Sequence, residues 1–417
     1  MQGPRYSERV KSLVVAEVYP WPADDGYRLR VSNLIEAFAE LGPVDFVCMD
    51  GSNRPRAVAP RNVTVIDAPE GPELPIGRWL KPWLTTRLPR RLLRRDFDAA
   101  ARRFSEIDQS AHDVCFVSHL DTWHPIGEQL TLPTLVDFDN LEDLLTRTIR
   151  EAGPIIQPGD GALAKVRAFV RWIIASGFNR VDEARWTRAQ RHLAANVERT
   201  FVCSQLDVER SGIPNVVAVP NGYQRTFEPA SHLEPNDPSA PVFLFIGLLS
   251  YDPNADAVRW FATSVLPLVR ERIPGARFRV VGRGVEYVQS VGSLPGVELV
   301  GGVESLEPEL RGADVAVVPL RSGAGTRLKV VEAMANRLPM VTTTIGCEGI
   351  DLEDGIHAWI RDEPGRFADA CVQAVQDAET RVAVIEAAER RYLDRYQWSS
   401  IRAMVAKAAL EVAESHA

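Results

Sequence analysis

The chain has 417 residues, of which 45% are hydrophobic, and a formal net charge of −8 at pH 7. This length exceeds a usual single domain and predicts two domains, with enough apolar residues for two packed cores. The acidic balance argues against general nucleic-acid binding, so no nucleic acid is expected as a partner.

The cysteines and the N-terminus indicate a cytoplasmic protein. The five cysteines are odd in number, scattered and without a Cys-x-x-Cys pair, which favours buried free thiols over a disulfide framework or a zinc site. The first eleven residues are polar and charged, and the apolar run that follows is only as long as a strand. We therefore expect no signal peptide, no membrane-spanning segment and a cytoplasmic location, with peripheral contact at the inner membrane face as an open alternative.

The first half alternates predicted strands and helices. Apolar runs predict strands at 12–18, 44–49, 63–66, 114–117, 134–136, 199–204 and 216–219. Helical periodicity covers 28–41 and a long region over 162–193, which we expect to be interrupted at Ser176-Gly177. This alternation predicts a doubly wound α/β domain, whose ligands bind beyond the carboxyl ends of the strands.

Candidate ligand-binding residues follow two of these strands. Gly26 lies in the loop after the first strand and permits close approach of a ligand, and Arg30 is placed to meet an anionic group. Asp24 belongs to the same loop. His119 directly follows the strand at 114–117 and is a better catalytic candidate than His124. The alternative interpretations are a turn glycine, a solvated arginine and a structural histidine.

Residues 81–103 form a local basic block. They contain eight Lys and Arg but only two Asp, with tryptophan, leucine and phenylalanine interleaved. This composition predicts either contact with an anionic membrane or reception of an anionic acceptor. The alternative is a solvated helix face.

The second half repeats the same alternation after a linker predicted at 228–241, which is rich in Pro, Asn, Asp and Ser. Strands are predicted at 242–246, 278–281, 297–300, 315–318 and 339–344. Helices are predicted at about 252–268, 327–336, 367–375, 380–392 and 398–412. Gly247 and Gly282 each close a strand, and Asn254 is expected to be a helix N-cap.

The stretch 319–350 carries the strongest site signal. A strand, a glycine-containing loop and a helix start form an anion site, because unpaired N–H groups and the helix dipole favour a phosphate. Arg327 and Lys329 add two cations, and Glu332 is the only carboxylate of the loop and helix. These features predict a site for the diphosphate of a nucleotide sugar. The residues concerned are Gly323, Ala324, Gly325, Thr326, Arg327, Lys329 and Glu332.

Several motifs in fixed order resemble the retaining glycosyltransferases of family 4, which have two Rossmann-like domains (the GT-B type). The motifs lie at 20–30, 202–204, 219–222, 245–247 with 252–254, 280–282, 323–339, 346–350 and 392–401. The resemblance covers nearly the whole chain. It implies an α/β fold with two doubly wound Rossmann-like domains facing a central cleft. Residues 1–228 would form the acceptor-side domain, 229–395 the nucleotide-sugar domain, and 396–417 a C-terminal helix that crosses back to the first.

The same resemblance implies sugar transfer from a nucleotide-diphosphate sugar to an acceptor hydroxyl, with retention at the anomeric carbon and without a metal ion. No cofactor is expected besides this donor substrate, whose base is not identified. The expected catalytic residues are His119, Arg327 and Lys329, with Asp24 and Arg30 on the acceptor side. Donor contacts are expected at Gly26, Gly247, Asn254, Gly282, Gly323, Ala324, Gly325, Thr326 and Glu332.

The family signature is two glutamates with seven residues between them. Glu332 matches the second, which binds the ribose hydroxyls in the family, but Ala324 stands where the first belongs. The family's usual basic pair is also missing from 248–253. We therefore expect Arg327 and Lys329 to neutralise the diphosphate, Arg327 by direct contact. Alternatively, Lys329 pairs with solvent or with Glu332.

Two other functions remain open from the sequence. The loss of a glutamate at Ala324 is compatible with a nucleotide-sugar epimerase of the same fold, or with a degenerate, non-catalytic relative. The acceptor can be a small molecule, a glycan or a lipid-linked glycan, in polysaccharide or natural-product biosynthesis.

Overall fold

The computed structural model describes residues 10–23, 26–49, 56–68, 71–151, 153–154, 161–323 and 327–416. The chain divides into two compact units, residues 1–220 with 401–417 and residues 221–400. Each unit has its own parallel sheet and its own hydrophobic core. The two-domain α/β architecture predicted from the sequence is confirmed.

The first unit contains a seven-stranded sheet in the order β3-β2-β1-β4-β5-β6-β7. Its strands are β1 (Ser12–Ala16), β2 (Val44–Cys48), β3 (Val63–Asp67), β4 (Val114–Ser118), β5 (Thr134–Phe138), β6 (Arg199–Val202) and β7 (Val216–Ala218). Its helices are α1 (Gly26–Ala39), α2 (Ile76–Thr85), α3 (Arg90–Leu93), α4 (Asp98–Ser105), α5 (Leu120–Trp123), α6 (Glu142–Glu151), α7 (Ala162–Ala194) and α8 (Gln205–Ser211). Every residue of β1, β4 and β5 is buried, as expected for central strands of a parallel sheet.

The second unit contains a six-stranded sheet in the order β10-β9-β8-β11-β12-β13. Its strands are β8 (Val242–Ile246), β9 (Arg277–Val281), β10 (Val297–Gly301), β11 (Val315–Val318), β12 (Met340–Thr342) and β13 (Trp359–Ile360). The helices of this half are α9 (Asp252–Trp260), α10 (Leu266–Arg272), α11 (Glu307–Gly312), α12 (Leu328–Ala335), α13 (Pro364–Gln376), α14 (Ala378–Arg395) and α15 (Trp398–Glu414). A π-helical segment, Phe261–Val265, joins α9 to α10.

The strand order reverses between β1 and β4 in one sheet and between β8 and β11 in the other. In open α/β sheets, the carboxyl ends of the strands at such a reversal form a ligand-binding crevice. In the first unit this point is flanked by the residues that follow β1 and β4. In the second unit it is flanked by Gly247, directly after β8, and by the segment between β11 and α12.

The helix α7 differs from the prediction of a break at Ser176-Gly177, because it runs without interruption for 33 residues. A glycine inside a helix costs about 1 kcal/mol relative to alanine, which packing elsewhere along the helix can outweigh. Here α7 packs along α6, and Trp172 Nε1 donates a hydrogen bond of 3.1 Å to the Arg150 carbonyl.

The boundary between the units lies after Pro220 rather than after residue 228. The backbone N–H of Tyr223 donates to the Tyr396 carbonyl at 2.9 Å, and the Tyr392 hydroxyl donates to the Tyr223 carbonyl at 3.1 Å. The segment after Pro220 is therefore already part of the second unit.

The chain returns to the first unit at Ile401, within α15. There Arg402 Nη1 lies 2.8 Å from Asn33 Oδ1 and 3.1 Å from Glu36 Oε2, both on α1. All five cysteines are buried, and none of them forms a disulfide bond. In the part of the chain that the structure describes, no helix is long and apolar enough to cross a membrane.

Candidate functional site

Lys329 lies in the first turn of α12, just beyond β11. Its Nζ donates a hydrogen bond of 2.7 Å to Asn254 Oδ1 and lies 4.2 Å from the ring centroid of Phe245. Burial, together with the charge of the nearby Arg327, lowers the pKa of Lys329 to about 7, and the Glu332 carboxylate opposes the shift. The site therefore contains an ammonium group that is close to losing its proton at neutral pH and that an arriving anion would stabilise.

Two glycines leave space for the Lys329 ammonium and for its hydrogen-bond partner Asn254. A Cβ at Gly247 would lie 2.9 Å from Asn254 Nδ2 and 3.1 Å from Lys329 Nζ. Gly282 has φ +148°, and a Cβ there would lie 1.8 Å from the Gly247 carbonyl oxygen. The ends of β8 and β9 thus approach each other closely at Gly282, and a side chain at Gly247 would displace the side-chain ends of Asn254 and Lys329.

Asn254 does not act as the helix N-cap that the sequence predicts. The capping position of α9 is Tyr251, without a side-chain capping bond. The Asn254 side chain instead donates from Nδ2 to the Leu248 carbonyl at 2.8 Å, while its oxygen accepts from Lys329. Asn254 therefore ties α12 to the loop that follows β8.

Glu332 follows Lys329 by three residues on α12, so the two side chains project from one face. Its side chain is buried, and burial raises its pKa to about 7, against the opposing effects of a hydrogen bond with Tyr223 and of the Lys329 charge. A cation and a carboxyl that both titrate near neutrality thus stand one turn apart, a pattern that often marks a functional site.

Arg327 is the residue before α12, and its side chain is buried. Its Nε donates to the Ile345 carbonyl at 3.0 Å, its Nη2 donates to the Gly323 carbonyl at 3.0 Å, and Glu348 Oε2 lies 3.9 Å from Nη2. Burial lowers the pKa of Arg327. The guanidinium therefore connects two segments around the start of α12.

Four predicted site residues, Asp24, Ala324, Gly325 and Thr326, lie outside the described residues. Gly323 is described, with φ +125°, and a Cβ there would lie 3.4 Å from both Pro253 Cβ and the Tyr251 hydroxyl. Gly26 is exposed at the first position of α1.

His119 directly follows β4, as the sequence predicts. Its backbone has φ 75° and ψ 148°, a combination that is close to a region used almost only by glycine. Its N–H donates to the Asp137 carbonyl at 2.9 Å, and its ring meets that of Tyr27 edge-on at 5.3 Å between centroids. Strain of this kind often accompanies function, so the geometry keeps His119 as a catalytic candidate.

Glu17 and Tyr27 are candidates that the sequence reasoning missed. Burial raises the pKa of both, and the charge of His119 opposes the shift at Glu17. Tyr27 also lies 3.4 Å, oxygen to oxygen, from the Ser118 hydroxyl. A carboxylate directly after an apolar strand was the available signal for Glu17.

Arg30 does not fit the acceptor-side role predicted for it. Its side chain has 0% exposure, and it forms two bonds to Asp137, Nε to Oδ2 at 2.8 Å and Nη2 to Oδ1 at 2.6 Å. Its Nη1 donates to the Val219 carbonyl at 3.0 Å. The anion that Arg30 binds is thus the Asp137 carboxylate of the protein itself. Arg30 is therefore a structural residue that connects α1, β5 and the segment after β7.

The basic block at 81–103 is extensively paired within the protein. Arg91 contacts Asp121 at 2.8 Å and Glu142 at 2.7 Å, and Arg90 contacts Asp182 at 3.3 Å. Arg94 and Arg103 also have carboxylate partners. The block is spread over the short helices α2, α3 and α4, and its pairing weakens the prediction that it binds a membrane. Among the described residues, no cluster of three or more His, Cys, Asp or Glu could hold a metal.

Comparisons with known proteins agree with this architecture. Residues 240–377 match the family model described as "Glycosyl transferases group 1". An uncharacterised 44.6 kDa protein in the cps region of Klebsiella pneumoniae is 28% identical over 134 residues, a match that covers 30% of this chain and 34% of that protein. The alignment thus spans about a third of that relative.

Solved structures resemble the chain over nearly its whole length. Sucrose-phosphate synthase from Thermosynechococcus elongatus has a TM-score of 0.67 at 16% identity, covering 98% of this chain and 100% of that one. Anabaena HepE in complex with UDP and glucose has a TM-score of 0.57 at 12% identity, covering 96% and 99%. WaaG, a glycosyltransferase involved in lipopolysaccharide biosynthesis, has a TM-score of 0.57 at 14% identity, covering 95% and 99%. Residues 240–377 therefore match the group 1 glycosyltransferase model, and the chain has the GT-B glycosyltransferase fold.

Proposed function

We propose that the protein is a retaining glycosyltransferase that moves a sugar from a nucleotide-diphosphate sugar to an acceptor hydroxyl in the cytoplasm. The observation that carries this proposal is the placement of Lys329 and Glu332 on one face of α12, at the strand ends of the second unit. A nucleoside diphosphate presents an anionic diphosphate next to ribose hydroxyls. An ammonium and a carboxyl one helical turn apart match those two parts.

Lys329 is assigned to the diphosphate, and Glu332 to the ribose. Departure of the sugar leaves additional negative charge on the diphosphate, so a cation there stabilises the transition state more than the bound substrate. HepE was solved with UDP and glucose and also with UDP-glucose, which supports this class of donor for a chain of the same fold.

Arg327 is assigned to positioning the segment before α12. The sequence favoured Arg327 over Lys329 for direct contact, but its guanidinium donates to two backbone carbonyls. Its charge still lies beside the ammonium, since it lowers the pKa of Lys329. The two cations together supply the neutralisation that a metal would otherwise provide, and we propose that transfer needs neither metal nor cofactor.

The acceptor is assigned to the first unit, with His119 as its catalytic residue and Asp24 as a further contact. His119, Tyr27 and Glu17 gather where the strand order reverses, so a bound hydroxyl there would meet an imidazole, a phenol and a carboxyl. Attack on the same face of the sugar, assisted by the departing phosphate, accounts for retention without a protein nucleophile. A small molecule, a glycan and a lipid-linked glycan all carry suitable hydroxyls.

The experiment is incubation of the protein with a panel of nucleotide sugars and simple glycoside acceptors, with and without EDTA. Release of a nucleoside diphosphate shows use of the donor, and proton NMR of the product gives the anomeric configuration. We expect retention, full activity in EDTA, and loss of activity in Glu332→Gln but not in Glu379→Gln, which changes an exposed glutamate on α14.

Three results would contradict this proposal in different ways. An isomerised nucleotide sugar would identify an epimerase, an inverted product would remove retention, and loss of activity in EDTA would show that a metal is required.

A further inference from the structure

The first part of α7 exposes a row of large apolar side chains, with exposed fractions between 40% and 65%. We call this row the α7 stripe. Its members are Leu163, Val166, Phe169, Val170, Ile173, Ile174 and Val181. Spacings of three and four residues place them on one side of the helix, over a length of about 27 Å. Monomeric proteins rarely expose apolar patches larger than a few hundred Å², and larger patches mark protein or membrane contacts.

The opposite side of α7 is fixed to the first unit, which keeps the stripe facing outward. Trp172 Nε1 donates to the Arg150 carbonyl of α6, and Glu183 pairs with Arg147 at 2.8 Å and Arg150 at 3.1 Å. Asn179 Oδ1 accepts a 2.6 Å hydrogen bond from the Arg90 side chain. The helix is therefore anchored along one face and unpartnered along the other in the described structure.

Positive charge borders the stripe on both sides. Residues 162–181 contain four basic residues and no Asp or Glu. At 100° per residue, Arg167 and Arg171 follow one edge and Lys165 lies beyond the other, while Arg180 falls on the stripe itself near its C-terminal end; all four are exposed. An apolar face bordered by Lys and Arg is the composition of a helix that lies in the headgroup region of a membrane.

We propose that α7 docks the protein on an anionic lipid bilayer, with the α7 stripe at the boundary of headgroups and acyl chains. The four cations would meet the headgroup phosphates, each contributing attraction to a negatively charged surface. The helix would lie in the plane of the surface, since no described helix is suited to cross a bilayer.

Two observations favour lipid over other occupants and over other sites. In a two-fold dimer through this face, the same cations of two copies would lie close together and repel, whereas an anionic bilayer complements them. Residues 81–103 are the weaker docking site, because Arg90, Arg91, Arg94 and Arg103 have carboxylate partners within the protein. Docking involves no donor contact, so it stands apart from the proposed transfer activity.

The test is co-sedimentation of the full chain with vesicles of equal parts phosphatidylcholine and phosphatidylglycerol, compared with phosphatidylcholine alone. We expect binding to the anionic vesicles that weakens as salt increases. The double variant Ile173→Gln, Ile174→Gln should lower the partition coefficient at least about tenfold, through lost apolar burial. The double variant Arg167→Gln, Arg171→Gln should also lower the partition coefficient, and it should make vesicle binding less dependent on salt.

Matched controls lie in the second unit. Ile356 is 48% exposed and Arg366 is exposed, so Ile356→Gln and Arg366→Gln repeat the same changes elsewhere and should leave binding unchanged. Because every substituted side chain is exposed, the variants should melt like the native protein, which a thermal scan checks.

Undiminished vesicle binding by the isoleucine variant, or equal binding of the native protein to both kinds of vesicle, would overturn the proposal. So would a native protein that binds no vesicles but forms a dimer, if the isoleucine variant converts this dimer to a monomer. Turnover of a nucleotide sugar should be the same in native protein and isoleucine variant, which separates a failure of docking from a failure of the proposed activity.

Discussion

The ammonium of Lys329 donates a 2.7 Å hydrogen bond to the side-chain oxygen of Asn254, 75 residues earlier in the chain. The partner is a neutral amide, so the bond orients the ammonium without neutralising it. Gly247 leaves the space for this pair beside the end of β8. The cation is thereby held in place by the fold before any ligand arrives, which is the preorganisation that charge stabilisation requires.

Binding of a nucleoside diphosphate should weaken as the pH rises above 7. The pKa of Lys329 is lowered to about 7 by burial, so above that pH the empty site must take up a proton to bind the anion. The dissociation constant should rise by up to about tenfold per pH unit. Calorimetry at pH 7, 8 and 9 measures this slope. The Lys329→Arg variant keeps its positive charge throughout this pH range, so its dissociation constant should depend much less on pH. Equal slopes in the native protein and in Lys329→Arg would contradict the assignment of Lys329 to the diphosphate.

Glu332→Gln should weaken nucleoside diphosphate binding and stabilise the protein at the same time. A lost hydrogen bond between ribose and a carboxylate corresponds to roughly 10–100-fold in affinity. Burial raises the pKa of Glu332 to about 7, so its ionised form destabilises the fold by an amount on the order of 3 kcal/mol.

The sign of this stability effect follows from proton binding. The carboxyl holds its proton more tightly in the folded state, so the gain in Glu332→Gln is complete above pH 7 and fades as the pH falls from 7 toward 4.5. Urea unfolding at pH 8 and at pH 4.5, together with calorimetric titration at pH 8, measures both effects. Weaker binding with no gain in stability at pH 8 would indicate damage to the fold.

Gly247→Ala should impair activity with little effect on stability. The new methyl group would lie 2.9 Å from Asn254 Nδ2 and 3.1 Å from Lys329 Nζ, so the pair must separate or tilt. We expect kcat/KM to fall at least about tenfold, the effect of one charge-assisted hydrogen bond. Gly365→Ala is the matched control, since a methyl group there meets nothing within 4 Å. Unchanged kinetics in Gly247→Ala would show that the pair is not part of the site.

Glycine should be tolerated better than alanine at His119, the reverse of the usual order. The backbone at φ 75° and ψ 148° suits glycine, so His119→Gly should be about 1–3 kcal/mol more stable than His119→Ala. His124, at φ −50° and ψ −47°, provides the control, because there alanine should be the more stable. Denaturant unfolding of the glycine and alanine variants at His119 and at His124 gives the difference in unfolding free energy between glycine and alanine at each position.

The same two variants test the proposed catalytic role of His119. Both remove the imidazole, so both should lower kcat by a larger factor than they change the affinity for the donor. A larger effect on affinity than on kcat would leave His119 as a structural residue.

The sequence was sufficient for the elements that depend on local pattern. β8 and β11 are continuous apolar runs that end at a glycine and at a proline, and their bounds match the prediction. Lys329 and Glu332 were located correctly on one helix because the helical repeat is short-range.

Features that depend on long-range contacts could not be read in the same way. The Lys329–Asn254 bond joins residues 75 positions apart, and the expected N-cap role of Asn254 followed only from its neighbours. Arg30 was expected to meet an anionic ligand, with a solvated arginine as the alternative, but the carboxylate that it pairs with is Asp137, 107 positions away. The continuity of α7 through Gly177 depends on packing against α6 rather than on helix propensity.

The assignment of Lys329 to the diphosphate is tested most directly by calorimetry at pH 6.5, which compares the affinity of the protein for a nucleoside diphosphate with its affinity for the monophosphate. With Lys329 charged at this pH, the native protein should bind the diphosphate at least about tenfold more tightly. Lys329→Met should abolish this preference, and Lys407→Met, which changes an exposed lysine on α15, should preserve it. Equal affinity for the two ligands in the native protein, or an undiminished preference in Lys329→Met, would contradict the assignment of Lys329 to the diphosphate.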